Sequence, residues 1–168
     1  MDSRRRRIGV AKGHRPPMTH LFLDSEAMTH ALGVRLGRAA TPGTVVALVG
    51  DLGAGKTVFS RGVGAGLQVQ TRVSSPTFII VQTHEGGRLP FWHADFYRLG
   101  VADELEQLGL DEVLEGPGVT VVEWANRFWD ALPSDRLEIT LTDAGSGRDV
   151  QVHATGPRHA HLEAALGR

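Results

Sequence analysis

The sequence contains no cysteine, which excludes a disulfide framework and any metal site built from thiolates. No apolar run approaches the roughly 18 residues that a membrane-spanning helix needs. The lack of cysteine is typical of a reducing cytosol, and we expect a cytoplasmic protein. With 168 residues, 41% of them hydrophobic and 22% charged, the chain has the size and composition of one globular domain.

Acidic side chains are scarce in the first 17 residues, but they outnumber basic side chains in the rest of the sequence. Residues 1–17 carry five arginines and one lysine against one aspartate, a net charge of +5, which leaves −6 on the remainder of a chain whose total is −1. An acidic body is a poor candidate for a broad nucleic-acid-binding surface. The Arg-rich segment lacks the apolar core of a secretory signal. We expect residues 1–17 to be a disordered extension and residues 18–168 to form a single domain.

The most informative stretch is Gly50–Thr57, GDLGAGKT, which fits the phosphate-binding pattern G-x-x-x-x-G-K-[ST] at every position. The β-branched run 44–49 before it predicts a buried strand, and the segment after it can start a helix. We expect its three glycines to adopt positive φ angles and to bring backbone N–H groups around a polyphosphate. Lys56 would reach the β- and γ-phosphates, and the Thr57 hydroxyl would bind Mg²⁺.

Hydrophobic periodicity predicts the other elements. Strands are expected at 20–23, 77–82, 89–95, 118–123, 136–142 and 149–153, and helices at about 25–39, 56–67, 103–108, 126–132 and 161–166. Glycines at 62, 64 and 66 should weaken the second helix. Because the second half contains hairpins and few crossover helices, we expect an α/β, P-loop NTPase-like three-layer fold with a mixed parallel/antiparallel central sheet.

Two predicted strands end in an acid, Asp95 and Glu123. Each acid would lie at the carboxyl edge of the sheet, where open α/β sheets bind ligands, and could hold a metal ion or its waters. The spacing leaves open which acid would bind directly. In the polar loop after the second helix, Ser75 and Thr77 fit either a segment that senses the γ-phosphate or an ordinary Ser-Pro turn.

Two further side chains near these acids have more than one interpretation. His93 shares a strand face with Asp95 and could be a histidine oriented by a carboxylate or part of a metal pair. The interpretation that we favour is a half-buried histidine with backbone partners. Trp124 follows Glu123 and could line a nucleotide or a partner surface, with core packing as the default.

Four motifs, in this order, resemble the bacterial TsaE family: Gly50–Thr57, S-P-T-F at 75–78, H-x-D-x-Y-R-L at 93–99 and V-E-W at 122–124. The resemblance runs from Leu21 to about Val152. One departure is Ala125–Arg127, where members often have a proline or an acidic residue.

This resemblance implies an ATPase needed to make threonylcarbamoyladenosine beside the tRNA anticodon, acting with TsaD and TsaB and meeting tRNA through that complex. The implied ligands are ATP or ADP and Mg²⁺. When the roles of the family's residues are carried over by position, the metal-binding residues are Thr57, Glu123 and Asp95. The catalytic residues implied in the same way are Lys56, Asp95 and Glu123. The expected nucleotide-binding residues are Glu26, Leu52, Gly53, Ala54, Gly55, Lys56, Thr57, Ser75, Thr77, Trp124 and Arg148.

Three other functions are compatible with a P-loop. A small-molecule kinase would need a lid with several arginines, whereas the second half predicts hairpins. A GTP-binding switch would need an Asn-Lys-x-Asp stretch, which the sequence lacks. A binding module could use ATP only to order an interface, without hydrolysing it.

Overall fold

A computed structural model of the chain describes residues 18–76, 80–101 and 103–168. The Arg-rich segment 1–17 and Thr77 lie outside the described residues, so the predictions made for them stay predictions. Among the described residues, no helix has the length and apolar character required to cross a membrane.

Seven strands and five helices follow one another along the described chain. The strands are β1 (Thr19–Leu23), β2 (Thr44–Gly50), β3 (Val81–His84), β4 (Phe91–Asp95), β5 (Val119–Glu123), β6 (Leu137–Asp143) and β7 (Arg148–Ala154). The helices are α1 (Glu26–Ala39), α2 (Lys56–Leu67), α3 (Asp103–Gln107), α4 (Leu110–Leu114) and α5 (Ala160–Leu166). The Ser25 side chain accepts a hydrogen bond from the Met28 N–H and caps the start of α1.

The strands form one mixed sheet in the order β1-β7-β6-β2-β5-β4-β3. The P-loop strand β2 is central and runs parallel to β5 and β6, and β4 runs parallel to β5. The pairs β1–β7, β6–β7 and β3–β4 are antiparallel. The predicted mixed sheet is therefore confirmed. Because β2, β5 and β4 point the same way, Gly50, Glu123 and Asp95 all lie at one edge of the sheet.

Side chains alternate along β2 between two cores, one on each face of the sheet. Val46 and Leu48 pack with side chains of α1, α2 and α5. Val45 and Ala47 pack with side chains of α3 and α4. This is the three-layer arrangement predicted from the sequence, and it fixes the start of α2 next to the carboxyl end of β5.

The glycines of α2 have a packing role that the sequence pattern does not show. A Cβ atom on Gly62 would stand 2.1 Å from the carbonyl oxygen of His30, and one on Gly66 would stand 2.3 Å from that of Val34. These glycines allow the backbones of α1 and α2 to touch. The low helix propensity of glycine is therefore offset by close packing between two helices, and α2 runs its full predicted length.

Two predicted elements differ from the structure. The prediction of a helix at 126–132 was wrong, because this stretch forms two 3₁₀ turns, Ala125–Arg127 and Trp129–Ala131. Phe128 separates them with φ −144° and ψ 60°, and its ring packs edge-on against Phe96 at 5.9 Å. Of the strand expected at 77–82, residues 77–79 lie outside the described residues, and the structure has β3 at Val81–His84, with His84 paired to Phe91.

Candidate nucleotide and metal site

The P-loop joins the end of β2 to the start of α2. Gly53 and Gly55 have φ angles of 80° and 104°, a region that other residues rarely adopt. Gly50 does not have a positive φ, so that part of the prediction was wrong. A Cβ at Gly50 would lie 2.6 Å from the Leu141 carbonyl oxygen, so glycine is needed there because β6 passes close by.

Lys56 is the first residue of α2 and is only 5% exposed. Its ammonium donates hydrogen bonds to the carbonyl oxygens of Gly50 (2.6 Å) and Asp51 (2.8 Å). Burial lowers the pKa of Lys56, and the nearby carboxylates of Glu123, Asp95 and Asp51 oppose that shift. The charged amine is thus held within the P-loop.

Glu123 is almost fully buried, at 2% exposure, and lies against the start of α2. Its Oε2 atom accepts a hydrogen bond from the Thr57 hydroxyl at 3.3 Å. Its Oε1 atom lies 3.1 Å from the Ser60 hydroxyl and 2.7 Å from Nε2 of His93. A carboxylate at the end of β5 is thereby joined to the P-loop threonine by a hydrogen bond.

Asp95 is paired in register with Glu123 across β4 and β5. One oxygen accepts from the Tyr97 N–H at 2.9 Å, and the other accepts from the Ser75 hydroxyl at 3.3 Å. Burial raises the pKa of Asp95, and the charge of Glu123 raises it further, while the bonds from Tyr97 and Ser75 oppose the shift. The structure therefore brings the predicted loop serine and the predicted acid together.

An open cavity of about 420 Å³ lies over these groups. It is lined by Leu52, Thr57, Ser75, Asp95, Glu123 and Trp124, among others. Trp124 has a left-handed φ of 56°, and its ring lies 4.1 Å from the Lys56 ammonium and 4.8 Å from the Tyr97 ring. Trp124 packs partly against the core but also lines the cavity, so core packing alone does not account for it.

Glu26 and Arg148 lie on the other side of the P-loop, beside a cavity of about 190 Å³. Gly53, Ala54 and Gly55 line the same cavity. The Arg148 guanidinium donates to the carbonyl oxygens of Ala54 (3.0 Å) and Gly53 (3.2 Å). The two positions taken from the family resemblance are therefore adjacent to the P-loop in space, although both are distant from it in sequence.

The donor set fits Mg²⁺ better than a transition metal. Hydroxyl and carboxylate oxygens from Thr57, Glu123 and Asp95 are hard ligands, and Mg²⁺ in such sites takes one or two carboxylates plus phosphate oxygens and water. Within the described parts of the chain, no group of three or more His, Cys, Asp or Glu side chains could hold a metal ion. A metal at this site would therefore depend on oxygens from a bound phosphate as well.

Two partners of Glu123 were not predicted from the sequence. Ser60 lies three residues after Thr57, a spacing that places both on one side of α2, and this signal could have been used. His93 was expected to have backbone partners, and that was wrong, because it is completely buried and bonded to Glu123. Its partner follows from β4 lying beside β5, which the sequence pattern did not specify.

The fold is that of a P-loop NTPase-like protein. It has a central parallel strand, a P-loop and a following helix, in one sheet with helices on both faces. A family model described as "Threonylcarbamoyl adenosine biosynthesis protein TsaE" matches residues 23–150. The chain belongs to the TsaE family, which confirms the resemblance.

Similar proteins cover most of this chain. The tRNA threonylcarbamoyladenosine biosynthesis protein TsaE of Bacillus subtilis is 43% identical over 141 residues, which are 83% of this chain and 88% of that protein. The corresponding protein of Streptomyces coelicolor is 44% identical over 74% of this chain and 86% of its own length. The crystal structure of Bacillus subtilis YdiB superposes with a TM-score of 0.79 at 35% identity, covering 90% of this chain and 95% of that one.

Proposed function

We propose that this TsaE-family protein binds ATP with Mg²⁺ and hydrolyses it slowly, and that this activity is required for threonylcarbamoyladenosine biosynthesis on tRNA. The observation that carries the proposal is the bond between the P-loop hydroxyl of Thr57 and the buried carboxylate of Glu123, at 3.3 Å. A structural glycine turn has no need of a buried acid at this position, whereas a magnesium-nucleotide site does.

In this mechanism, the N–H groups at the start of α2 and the Lys56 ammonium bind the phosphates and stabilise charge that develops on them. Thr57 and Glu123 would hold the metal, and Asp95 would support the metal or orient the attacking water. Bound Mg²⁺ would supply positive charge to the β- and γ-phosphate oxygens. Ser75 positions Asp95 through their hydrogen bond. Trp124 borders the cavity next to Lys56 and would cover the phosphate end of the nucleotide.

The Arg148 guanidinium donates to carbonyl oxygens of the P-loop, and the carboxylates of Asp95 and Glu123 accept hydrogen bonds from neighbouring groups of this chain. We therefore propose that hydrolysis is slow in the isolated protein and that TsaD and TsaB complete the site, with tRNA engaged through that complex. The protein would work in the cytoplasm with these partners.

The test is calorimetry with ATP and ADP, with and without Mg²⁺, followed by phosphate release with and without TsaB and TsaD. We expect tight binding that depends on Mg²⁺, slow turnover alone and faster turnover with the partners. Absence of nucleotide binding in the presence of Mg²⁺ would refute the proposal, and fast turnover alone would refute the need for partners.

The variant Glu123→Ala separates hydrolysis from a purely structural use of ATP. If ATP only orders an interface, nucleotide affinity and partner binding should change together, with no turnover to lose. We expect instead that turnover falls far more than affinity for metal-free nucleotide. A kinase would transfer the phosphate to an acceptor, so free phosphate in equal amount to ADP would exclude that alternative.

A further inference from the structure

The His93 ring and the Ser60 hydroxyl lie against one oxygen of the Glu123 carboxylate, and the other oxygen faces the P-loop. Oε1 lies 2.7 Å from Nε2 of His93 and 3.1 Å from the hydroxyl of Ser60. Oε2 lies 3.3 Å from the Thr57 hydroxyl. A free glutamate can rotate about three side-chain bonds, so a carboxylate pinned through one oxygen presents the other in a fixed direction.

The surroundings of His93 make a purely structural role costly. Its side chain is 0% exposed, and its ring stacks on Phe91 with centroids 6.2 Å apart. In the part of the chain that the structure describes, Nδ1 of this ring is buried without a hydrogen-bond partner. An apolar residue would avoid the cost of burying that nitrogen. The contact that distinguishes histidine here is the one with Glu123.

We propose that His93 is a positioning residue, which holds Oε1 of Glu123 so that Oε2 faces Thr57 and the bound magnesium ion. This inference rests on the proposed function, because it concerns the metal of that site. A ligand carboxylate that is held by a hydrogen bond from a neighbour binds metal more tightly, and loss of such a neighbour typically costs 10- to 100-fold in metal affinity.

The chain offers a matched control in His84 on the neighbouring strand. This residue is 3% exposed and stacks on the same Phe91 ring, at 5.4 Å. Its Nε2 atom is also buried without a partner among the described residues, but its Nδ1 atom bonds to Thr71 at 2.7 Å. Replacing His84 therefore changes the same aromatic packing without removing a donor to Glu123.

Four variants test the inference: His93→Leu, His93→Gln, His93→Asn and His84→Leu. Glutamine places an amide N–H near the position of Nε2, whereas the shorter asparagine cannot reach Oε1. The measured quantity is the gain in ADP affinity on adding Mg²⁺, obtained by calorimetry, together with Mn²⁺ binding to the ADP complex by electron paramagnetic resonance.

We expect His93→Leu and His93→Asn to reduce the metal-dependent gain by at least about 10-fold, with affinity for metal-free ADP changed less than about 3-fold. His93→Gln should restore most of the gain, and His84→Leu should behave as wild type. Mn²⁺ affinity should follow the same order. If His93→Leu does not fold, the comparison of Asn with Gln at the same position decides the matter.

Two results would overturn the inference. One is an unchanged gain in His93→Leu or His93→Asn, and the other is an equal loss in His84→Leu, which would make the effect one of packing. Both require a wild-type protein that shows the gain. A wild-type protein without it would instead refute the proposed function, and this inference with it.

Discussion

Gly33 of α1 and Gly62 of α2 face each other at backbone distance. A Cβ built on either glycine would lie 3.0 Å from the Cα of the other. The same Cβ atoms would lie 2.2 Å from the carbonyl oxygen of Phe59 and 2.1 Å from that of His30. Helix α2 begins with Lys56 and Thr57, so this contact fixes the P-loop helix against α1 and holds the two residues in place below the candidate site.

We expect Gly62→Ala to lower the free energy of unfolding, even though alanine is more favourable than glycine inside a helix by about 1 kcal/mol. The new methyl group would meet a backbone oxygen that cannot move alone, and overpacking of this kind costs about 1–3 kcal/mol. Urea unfolding measures the change. Gly64→Ala is the comparison on the same helix, because its Cβ would meet the Val73 side chain at 2.6 Å instead of a backbone oxygen. Equal losses in the two variants would contradict this account.

Replacement of Lys56 by methionine should weaken ATP binding by about 10- to 100-fold, or about 1.4–2.7 kcal/mol. The variant keeps the length of the side chain and removes the ammonium that the P-loop carbonyls hold. Calorimetry with Mg·ATP is the measurement. Arg61→Met removes another long cationic side chain from the exposed side of α2 and should bind ATP as wild type does. A similar weakening in both variants would point to a general loss of positive charge.

Asp95→Asn should make the protein more stable at pH 7, by about 0.5–1 kcal/mol, while reducing hydrolysis. Burial and the charge of Glu123 raise the pKa of Asp95, so the folded state disfavours the ionised form. That cost is fully present above the folded-state pKa. It fades as the pH falls through that pKa and is gone below the unfolded value of about 3.9. Urea unfolding of both proteins from pH 8 to pH 4 tests this, and a less stable variant at pH 7 would contradict it.

Asp135→Asn should have the opposite effect and lower the stability at pH 7 by about 1 kcal/mol. Burial acts to raise the pKa of Asp135, but hydrogen bonds from the His159 ring (2.7 Å) and the Arg158 N–H (3.0 Å) outweigh it, and the pKa is lowered. The stabilisation is therefore complete above the unfolded pKa and is lost only as the pH falls below about 3.9.

The contrast between the two aspartates is itself a test. From pH 8 to about pH 5, the effect of Asp135→Asn should stay constant, whereas that of Asp95→Asn should shrink as the pH falls toward 4. Exposed Asp130 provides a control variant, Asp130→Asn, that should change the stability little at any pH. A constant effect at Asp95 would mean that its ionisation is not coupled to folding.

Local sequence signals were sufficient for much of the fold. The P-loop at 50–57 combines a fixed pattern with a preceding strand, and Ser25 marks the start of α1 through its own side chain. The turn at 85–88 places β3 and β4 side by side. These features depend on neighbours in the sequence. The same is true of an acid at the end of a strand, and this position is the reason why Asp95 and Glu123 were predicted.

Contacts between distant elements were not predictable in the same way. The bond from His93 to Glu123 exists because β4 and β5 are neighbours in the sheet, and the alternation along either strand does not reveal that. Gly62 looked like a weakness of α2 because the partner helix was not known. Phe128 interrupts a helical pattern because its ring reaches Phe96, a tertiary contact that outweighs local propensity.

The strand order also affects how the protein is made. On β2, Val46 pairs with Val121 on one side and with Leu137 on the other, both far along the chain. When the ribosome releases the P-loop segment, neither neighbour of its strand has yet been synthesised, and closing such large loops slows folding. Until β5 and β6 emerge, this apolar strand is unpaired and prone to aggregate. A chaperone that shields it should therefore increase the yield of active protein.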